Sequence, residues 1–388
     1  MNFPMCNTAF MYTDKYLDYC PSMHPYWNIT RFSIVFELVQ TLGWFKHPSI
    51  QVYDPPQATD EEIQVYHHPL YVRKLKELSE KGYGEDYRFG LGMGDNPVFK
   101  GVHEASALIT GGSMKLVDLV HEGEVAHGFA FLGGLHHAHP ARASGFCYYN
   151  DPVLAIKKML DLGYERVLYF DSDCHAGDGT QEAFYDNPNV LTISFHQSGR
   201  YLFPGTGDVY EAGDGEGEGF SVNMPFLPYT TDDLWLHAFN EIIPPLWKAF
   251  KPDFVYWQCG ADSHIHDPLT QLQLTNTLYQ QVAQKIHRLI HETPIQGRII
   301  LGGGGGYDPV HTAKAWSIIL AELAEIDIPT EVPLEWITYC KKEWDIDVEP
   351  AFLDSSTSLD IKDFIQAEIV TNETINEVKE RIFPFHGL

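Results

Sequence analysis

Between residues 166 and 179 the chain reads RVLYFDSDCHAGDG, an apolar, β-prone run that ends abruptly in two carboxylates and an imidazole. A strand that is apolar on both faces needs a sheet covered on both sides. HGFAFLGG (127–134), VLTISFH (190–196), DFVYWQCG (253–260) and GRIILGG (297–303) are further runs of that kind. Helical patterns alternate with them, at about 232–249 and 271–292, and from Asn150-Asp151-Pro152, a cap and a first-turn proline, to the stop at Gly163. The alternation predicts an α/β fold, a central, mostly parallel sheet flanked by helices on both faces. A chain of 388 residues can bury one large core or two smaller ones, and no linker interrupts it. One domain over residues 1–328 is expected. From about Pro329 the segment TEVPLEWITYCKKEWDIDVEP loses the strand and helix rhythm, so 329–388 reads as a C-terminal extension that packs on the core or forms an interface. The acidic, glycine-rich EAGDGEGEG (211–219) reads as a mobile loop.

Side chains alternate along a strand, so Asp171, Asp173 and His175, two apart, are expected on one face at the strand's C-terminal end, where open α/β sheets bind ligands. A catalytic zinc takes three protein ligands from nitrogen or carboxylate oxygen and leaves one position open. Asp173 and His175 supply two. Asp262, just after the strand-like 253–259, supplies the third; alone it would read as a loop acid or helix cap. His136 and His137 sit in a glycine-rich bend and need partners. Asp171 and Asp178 are the candidates, because a carboxylate on one ring nitrogen fixes the tautomer and leaves the other nitrogen facing a substrate. The glycine run Gly302 to Gly306 has no following Lys-Ser/Thr, so a phosphate-binding P-loop is not supported. It lets the backbone approach closely, and lets the phenol of Tyr307 reach a carbonyl oxygen on which negative charge develops. Together these groups predict hydrolysis of an amide by metal-activated water.

Composition removes other classes. The formal charge of −27 opposes a phosphate backbone, so no nucleic-acid partner is expected, and the acidity serves solubility. There is no stretch of about 18 apolar residues, and MNFPMCNTAFMYTDKYLDYC lacks a basic region followed by an apolar one, so no membrane partner and a cytoplasmic location are expected. The six cysteines show no C-x-x-C spacing and read as free thiols. Cys174, between two proposed ligands, is expected on the opposite strand face as packing.

The segments GLHHAHPARASGFCYYND, YFDSDCHAGDGTQEAFY, SFHQSGRYLFPGTGDVYEAG, GADSHIHDPL and LGGGGGYDPVHTAKAW, in that order, resemble the histone deacetylase family, nearest its bacterial acetoin-utilization branch and the class I enzymes. The resemblance runs from about His24-Pro25 to about Glu322. It implies an arginase/deacetylase-like fold and hydrolysis of acetylated or otherwise acylated lysine in a protein or peptide. It further implies one zinc ion per chain on Asp173, His175 and Asp262, with iron or cobalt open to the same donors. His137 with Asp178 would be the general base and then acid. His136 with Asp171 would hold the water and supply electrostatic support, and Tyr307 would polarise the carbonyl. An acyl-lysine tunnel would be walled by Phe146 and Phe203, with Gly145 allowing close approach and Leu269 near the mouth. Asp95 would grip the substrate backbone, and Arg31 would lie beneath the site beside an acetate exit. The family's structural potassium or sodium would sit at Asp171, Asp173, His175, Ser194 and Phe195, and a second near Phe184, Asn187, Val190 and Phe220.

Other readings are weighed on particular residues. The arginase-type ureohydrolases use two manganese ions and two further acids, and at those positions this chain has Gly177 and His264. Acetylpolyamine amidohydrolases would share the catalytic residues, with an acetylated small amine as substrate, but Leu269 stands near the position of their acidic gatekeeper. A silent reader of acyl-lysine would be free to lose a ligand, a histidine or the tyrosine, and none is lost. The departures are a glycine run one residue longer than usual, Leu202 where class I enzymes often have phenylalanine, Asn96 after the rim aspartate, and the HIH at 264–266. Leu202, the glycine run and the HIH are expected to border the pocket. Oligomeric state is left open.

Overall fold

The computed structural model describes residues 7–18, 26, 29–293, 295, 297–354 and 361–388. Cys6, Cys20, His24 and Pro25 fall outside them. Eight strands, β1 (Thr8–Met11), β2 (Ile50–Tyr53), β3 (His127–Ala130), β4 (Val167–Asp171), β5 (Val190–Gln197), β6 (Ser221–Phe226), β7 (Phe254–Gln258) and β8 (Ile299–Gly302), form one sheet in the order 2-1-3-8-7-4-5-6. Every pairing between these strands is parallel, so the expected mostly parallel sheet is wholly so. The strands β1, β2 and β6, each begun or interrupted by polar residues or proline, were not legible as apolar runs.

The strand alternation divides the core in two. Val167, Tyr169, Phe254, Tyr256 and Ile300 face one cluster, which packs Leu116, Val117 and Val120 of the helix Val102–His121 with Val153, Ile156 and Met159 of the helix Asp151–Asp161. Leu168, Phe170, Val255, Trp257, Ile299 and Leu301 face the other, with residues of the helices Ile29–Thr41, Asp232–Phe250, Asn276–Glu292 and Pro309–Leu323. Each fully buried Leu, Ile, Val or Phe contributes about 1.5–3 kcal/mol, so a sheet covered on both faces is held chiefly by these two layers.

Three expectations need correction. The helix expected over 271–292 begins at Asn276, because Gln273 and Leu274 instead form isolated bridges to Thr231 and His264. The segment said to lack rhythm after Pro329 contains the helix Leu334–Trp344. Its Trp336 is fully buried and donates its indole N–H to the Ile34 carbonyl at 2.9 Å. The loop 211–219 is not loose: the Tyr185 carbonyl accepts from Asp214 N at 2.9 Å, and the Ala212 carbonyl accepts from Gly219 N at 2.7 Å. A Cβ on Gly217 would lie 2.6 Å from the Tyr185 carbonyl oxygen, so the glycines permit close packing there rather than motion. No helix of the described residues is long and apolar enough to cross a membrane.

Candidate active site

The strand β4 ends at Asp171, so Asp173 and His175 stand on the loop beyond it and not on a strand face as expected. Two short turns carry them to the same corner. Asp171 Oδ1 accepts from the Asp173 amide at 3.2 Å, and Asp173 Oδ1 accepts from the His175 amide at 3.0 Å. Asp262 arrives from the loop after β7. His175 Nδ1 is 3.0 Å from both Asp173 Oδ1 and Asp262 Oδ2. Each carboxylate is anchored by its other oxygen: Asp173 Oδ2 accepts from Gln258 Nε2 at 2.7 Å and from Gly305 N at 2.8 Å, and Asp262 Oδ1 accepts from Cys174 N at 2.8 Å.

The donor set fits a divalent cation. Asp173, His175 and Asp262 are all buried, with ligand atoms within 4.8 Å of one another. Burial opposes charge on His175, yet Asp173 and Asp262 outweigh it and push the imidazole up to about 10. Two carboxylates in so small a volume demand positive charge, and two oxygens with one nitrogen leave room for an open position. A Cβ on Gly305 would lie 1.9 Å from Asp262 Oδ2, so the glycine run closes over the ligands at a distance no other residue permits. Cys174 belongs to the same cluster, contrary to the expected opposite face. The strand has already ended, and its Sγ lies 3.3 Å from His175 Nδ1. Burial pushes that thiol well above its usual range.

Beside the ligands, the two histidines of the bend point their ring nitrogens together. His136 Nδ1 donates to Asp171 Oδ2 at 2.7 Å, and His137 Nδ1 donates to Asp178 Oδ1 at 2.7 Å. The free Nε2 atoms lie 3.0 Å apart, and that of His136 is 4.0 Å from Asp173 Oδ1. Burial and the neighbouring His136 push His137 down to about 4 against the pull of Asp178. On His136 burial is outweighed by Asp171 and Asp173, which push it up to about 9. Each ring thus commits its Nδ1 to a carboxylate and turns its Nε2 toward the other ring and the corner between them.

A cavity of about 210 Å³ opens onto this corner, lined by Tyr26, Asp95, His137, Gly145, Phe146, His175, Leu202, Phe203, Leu269 and Tyr307. Phe146 lies 5.6 Å from the Tyr307 ring and Phe203 5.0 Å from the His137 ring, centroid to centroid. Gly145 has a φ of +49°, and a Cβ there would be 2.5 Å from His137 Cδ2, which explains a glycine at this wall. Burial, with Asp262 and Asp173 nearby, holds the Tyr307 phenol well above its usual range, so it keeps its proton for donation. A smaller space behind, about 10 Å³, is lined by His136, His137, Gly304, Gly305 and Tyr307 among others.

The remaining sequence candidates fall in different places. Arg31 is buried but lines neither space. Its guanidinium donates to the Gly304 carbonyl and lies 5.5 Å from the Tyr307 ring centroid, so it sits behind the glycine run. Ser194 pairs in register with Asp171, which sets Ser194 and Phe195 beside the ligand loop. Phe184, Asn187 and Val190 follow one another through a turn, with Asn187 N donating to Phe184 O at 3.0 Å and Val190 N to Asn187 O at 3.2 Å. The Phe220 carbonyl accepts from Thr192 N at 2.9 Å on the next strand. Leu202 borders the cavity as expected, but His264 and His266 do not: their rings stack on His311 at 4.3 and 4.5 Å, and His264 pairs with Asp354 at 2.8 Å. A Cβ on Gly177 would lie 2.4 Å from Asp171 Oδ2, so an arginase-like second acid has no space there. Asn96 is buried and donates to the Cys147 carbonyl at 3.2 Å, bracing the wall behind Phe146.

Sequence reasoning missed four supporting residues. Gln258 orients Asp173, and its signal was an amide side chain at the end of an otherwise apolar strand. Tyr169, two before Asp171 and so on its face, donates to Asp171 Oδ2 at 2.6 Å. Asp267 accepts from Tyr307 N at 2.6 Å and from Leu269 N at 2.9 Å, tying the phenol to the cavity mouth. Tyr26 lines the cavity and had no local signal.

Comparison with known proteins identifies the family and the fold. The model of the histone deacetylase domain matches residues 24–323. The acetoin utilization protein AcuC of Bacillus subtilis (strain 168) is 40% identical over 346 residues, covering 87% of this chain and 88% of that protein. AcuC of Staphylococcus aureus (strain MRSA252) is 39% identical over 345 residues, covering 87% of each. Among solved structures, an HDAC homolog complexed with SAHA superposes with a TM-score of 0.84 at 28% identity, covering 97% of this chain and 100% of that one. An HDAC homolog from Aquifex aeolicus also superposes with a TM-score of 0.84 at 28% identity, covering 96% of this chain and 100% of its own. A family match over most of the chain, relatives of like length and the shared arginase/deacetylase fold leave one conclusion: the chain belongs to the histone deacetylase family, metal-dependent hydrolases that remove acyl groups from amides.

Proposed function

We propose that the protein hydrolyses the side-chain amide of acetyl-lysine, or a related acyl-lysine, in a protein or peptide, releasing a carboxylic acid and lysine. The observation that carries this reading is the cavity lined by the apolar Phe146, Phe203, Leu202 and Leu269 together with His137, His175 and Tyr307. Such walls suit a neutral aliphatic stem, with Asp95 at the exposed rim placed to accept from a substrate backbone N–H. The cation is proposed to be one zinc ion on Asp173, His175 and Asp262; when bound it polarises the carbonyl and acidifies water. His137, fixed by Asp178, takes a proton from the attacking water and returns it to the leaving nitrogen as the C–N bond breaks. His136, fixed by Asp171, holds the water in line. Tyr307 donates to the oxygen as it gains charge, and Asp267 holds the backbone that aims the phenol. The potassium or sodium sites remain part of the proposal, at the Ser194 register position and at the 184–190 turn.

An acetylated small amine is the rival substrate. Among the described residues lining the cavity Asp95 is the one acid, and the position of a polyamine-selecting acid is Leu269. Purified, zinc-loaded protein is incubated with acyl-lysine peptides and N-acetylated polyamines, with and without a hydroxamate chelator. Chelator-sensitive acid release from peptides is the expected result. Release from polyamines alone overturns the substrate, and no release from either overturns the enzyme reading in favour of a binding protein.

A further inference from the structure

β3 enters the sheet at His127 and leaves it toward the His136-His137 bend, so its first residue lies at the sheet edge opposite the deacetylase site. There His127 meets His287 and His291, one turn apart on the helix Asn276–Glu292. The ring centroids are 5.2 Å (127 to 287), 5.2 Å (127 to 291) and 4.7 Å (287 to 291) apart. One nitrogen of each ring lies within 4.8 Å of the others, and the Nε2 atoms of His127 and His291 are 3.1 Å apart.

Two further observations point to a ligand. His127 Nδ1 lies 2.9 Å from the carbonyl of Leu323, which closes the helix Pro309–Leu323, so its proton is held there and the Nε2 lone pair faces the other rings. A backbone acceptor on the far nitrogen is the usual way a metal-binding histidine is oriented. Second, His287 Nε2 is buried without a hydrogen-bond partner among the described residues. An orphaned buried polar atom is a net cost to stability, and packing alone gives no reason to retain it. Gly297, with a φ of +84°, closes the cluster: a Cβ there would lie 3.4 Å from His127 Nε2 and 3.0 Å from His291 Cε1. Burial holds all three imidazoles below their usual range, in the neutral form that ligation requires.

We propose that His127, His287 and His291 form a second metal site, separate from the deacetylase centre, that takes a borderline transition-metal dication of the Zn²⁺ class. Imidazole donors favour zinc, nickel and copper over magnesium and calcium, which prefer oxygen. His291 is exposed, so the fourth position opens to solvent on its side, where the Glu325 carboxylate already acts on His287 and His291. The ion would clamp β3 to the end of one helix, with the next helix held through the Leu323 carbonyl. Its role is structural: no substrate-sized space adjoins it among the cavities described above.

The test uses tag-free, full-length protein, stripped with chelator and dialysed against Zn²⁺, with metal per chain read by mass spectrometry. Two ions are expected in the wild type, one in Asp173→Asn, one in His291→Ala and one in His287→Gln. In the Asp173→Asn background Zn²⁺ should raise the melting temperature, and adding His291→Ala should abolish that rise. Cu²⁺ in the same background should give a spin-resonance spectrum with nitrogen hyperfine structure. His127 is in the core, so the exposed His291 carries the test without risk to folding. Undiminished zinc in His291→Ala, or a wild type whose bound zinc is entirely lost with Asp173→Asn, overturns the second site. Neither result touches the deacetylase reading, which the acid-release assay decides.

Discussion

At the scale of single residues, the candidate site is built from side chains with one oxygen or nitrogen committed to the protein and the other turned to the shared corner. Asp173, Asp262, His136 and His137 all follow this rule. Tyr307 differs, since its backbone is held by Asp267 while its phenol is left to act. Replacing Tyr307 by Phe removes one donor and nothing else. Turnover on an acyl-lysine peptide should fall about 100-fold or more, with zinc content and melting temperature unchanged. Undiminished turnover would remove the phenol from the mechanism. The clustered candidate residues Asp173, His175 and Asp262 and the histidine pair were legible because acids and imidazoles are conspicuous at the ends of apolar strands. Gln258, Tyr169 and Asp267 were not, because a residue that acts by orienting another has no type-specific signature until the fold puts the two together.

Among elements, the continuously apolar strands and the amphipathic helices were readable, and the strands broken by polar residues and the sparsely buried helix were not. The helix Asp232–Phe250 contains Pro244 and Pro245, and a proline in a helix interior costs about 3 kcal/mol. The buried face of Leu234, Trp235, Ala238, Phe239, Ile242, Ile243, Leu246 and Trp247 outweighs that, and the apolar period predicted the helix correctly. The helix Leu334–Trp344 was missed because few of its residues are buried, Trp336 and Cys340 among them, too few to print a period on the sequence. Its anchor is Trp336, bonded to Ile34 on the same helix that carries Arg31 beneath the glycine run. Trp336→Ala should therefore destabilise the protein by about 3–5 kcal/mol, read as a lower denaturant midpoint, while a surface substitution such as Lys342→Ala should leave it in place.

For the whole molecule, buried histidines tie stability to pH. His67 is fully buried between the rings of Tyr66, Tyr71 and Tyr149 and accepts from Asn150 N at 2.9 Å. Asn150 in turn donates to the carbonyls of His136 and Ala138, so this contact underlies the His136-His137 bend. Burial pushes His67 down to about 3. The unfolded chain takes up that proton near pH 6.5 and the folded one only near 3, so the contribution is complete above the first value and is lost as pH falls toward the second. Between pH 7 and 5 the loss from this group is about 2 kcal/mol. His67→Gln, which keeps an acceptor, should flatten the pH dependence of the denaturant midpoint by that amount, and an unchanged slope would show that His67 is not its source. The strand order has a consequence for synthesis. β8 fills the middle of the sheet, between β3 and β7, yet it is the last strand to be made. Before residues 299–302 are made, β3 and β7 have no strand to join them, and the acids of the candidate site lack the glycine run that follows β8. Unpaired strand edges are sites of aggregation, so a nascent chain halted before β8 should depend on chaperones, and the carboxylate corner gains its final shape only as the last strand closes the sheet.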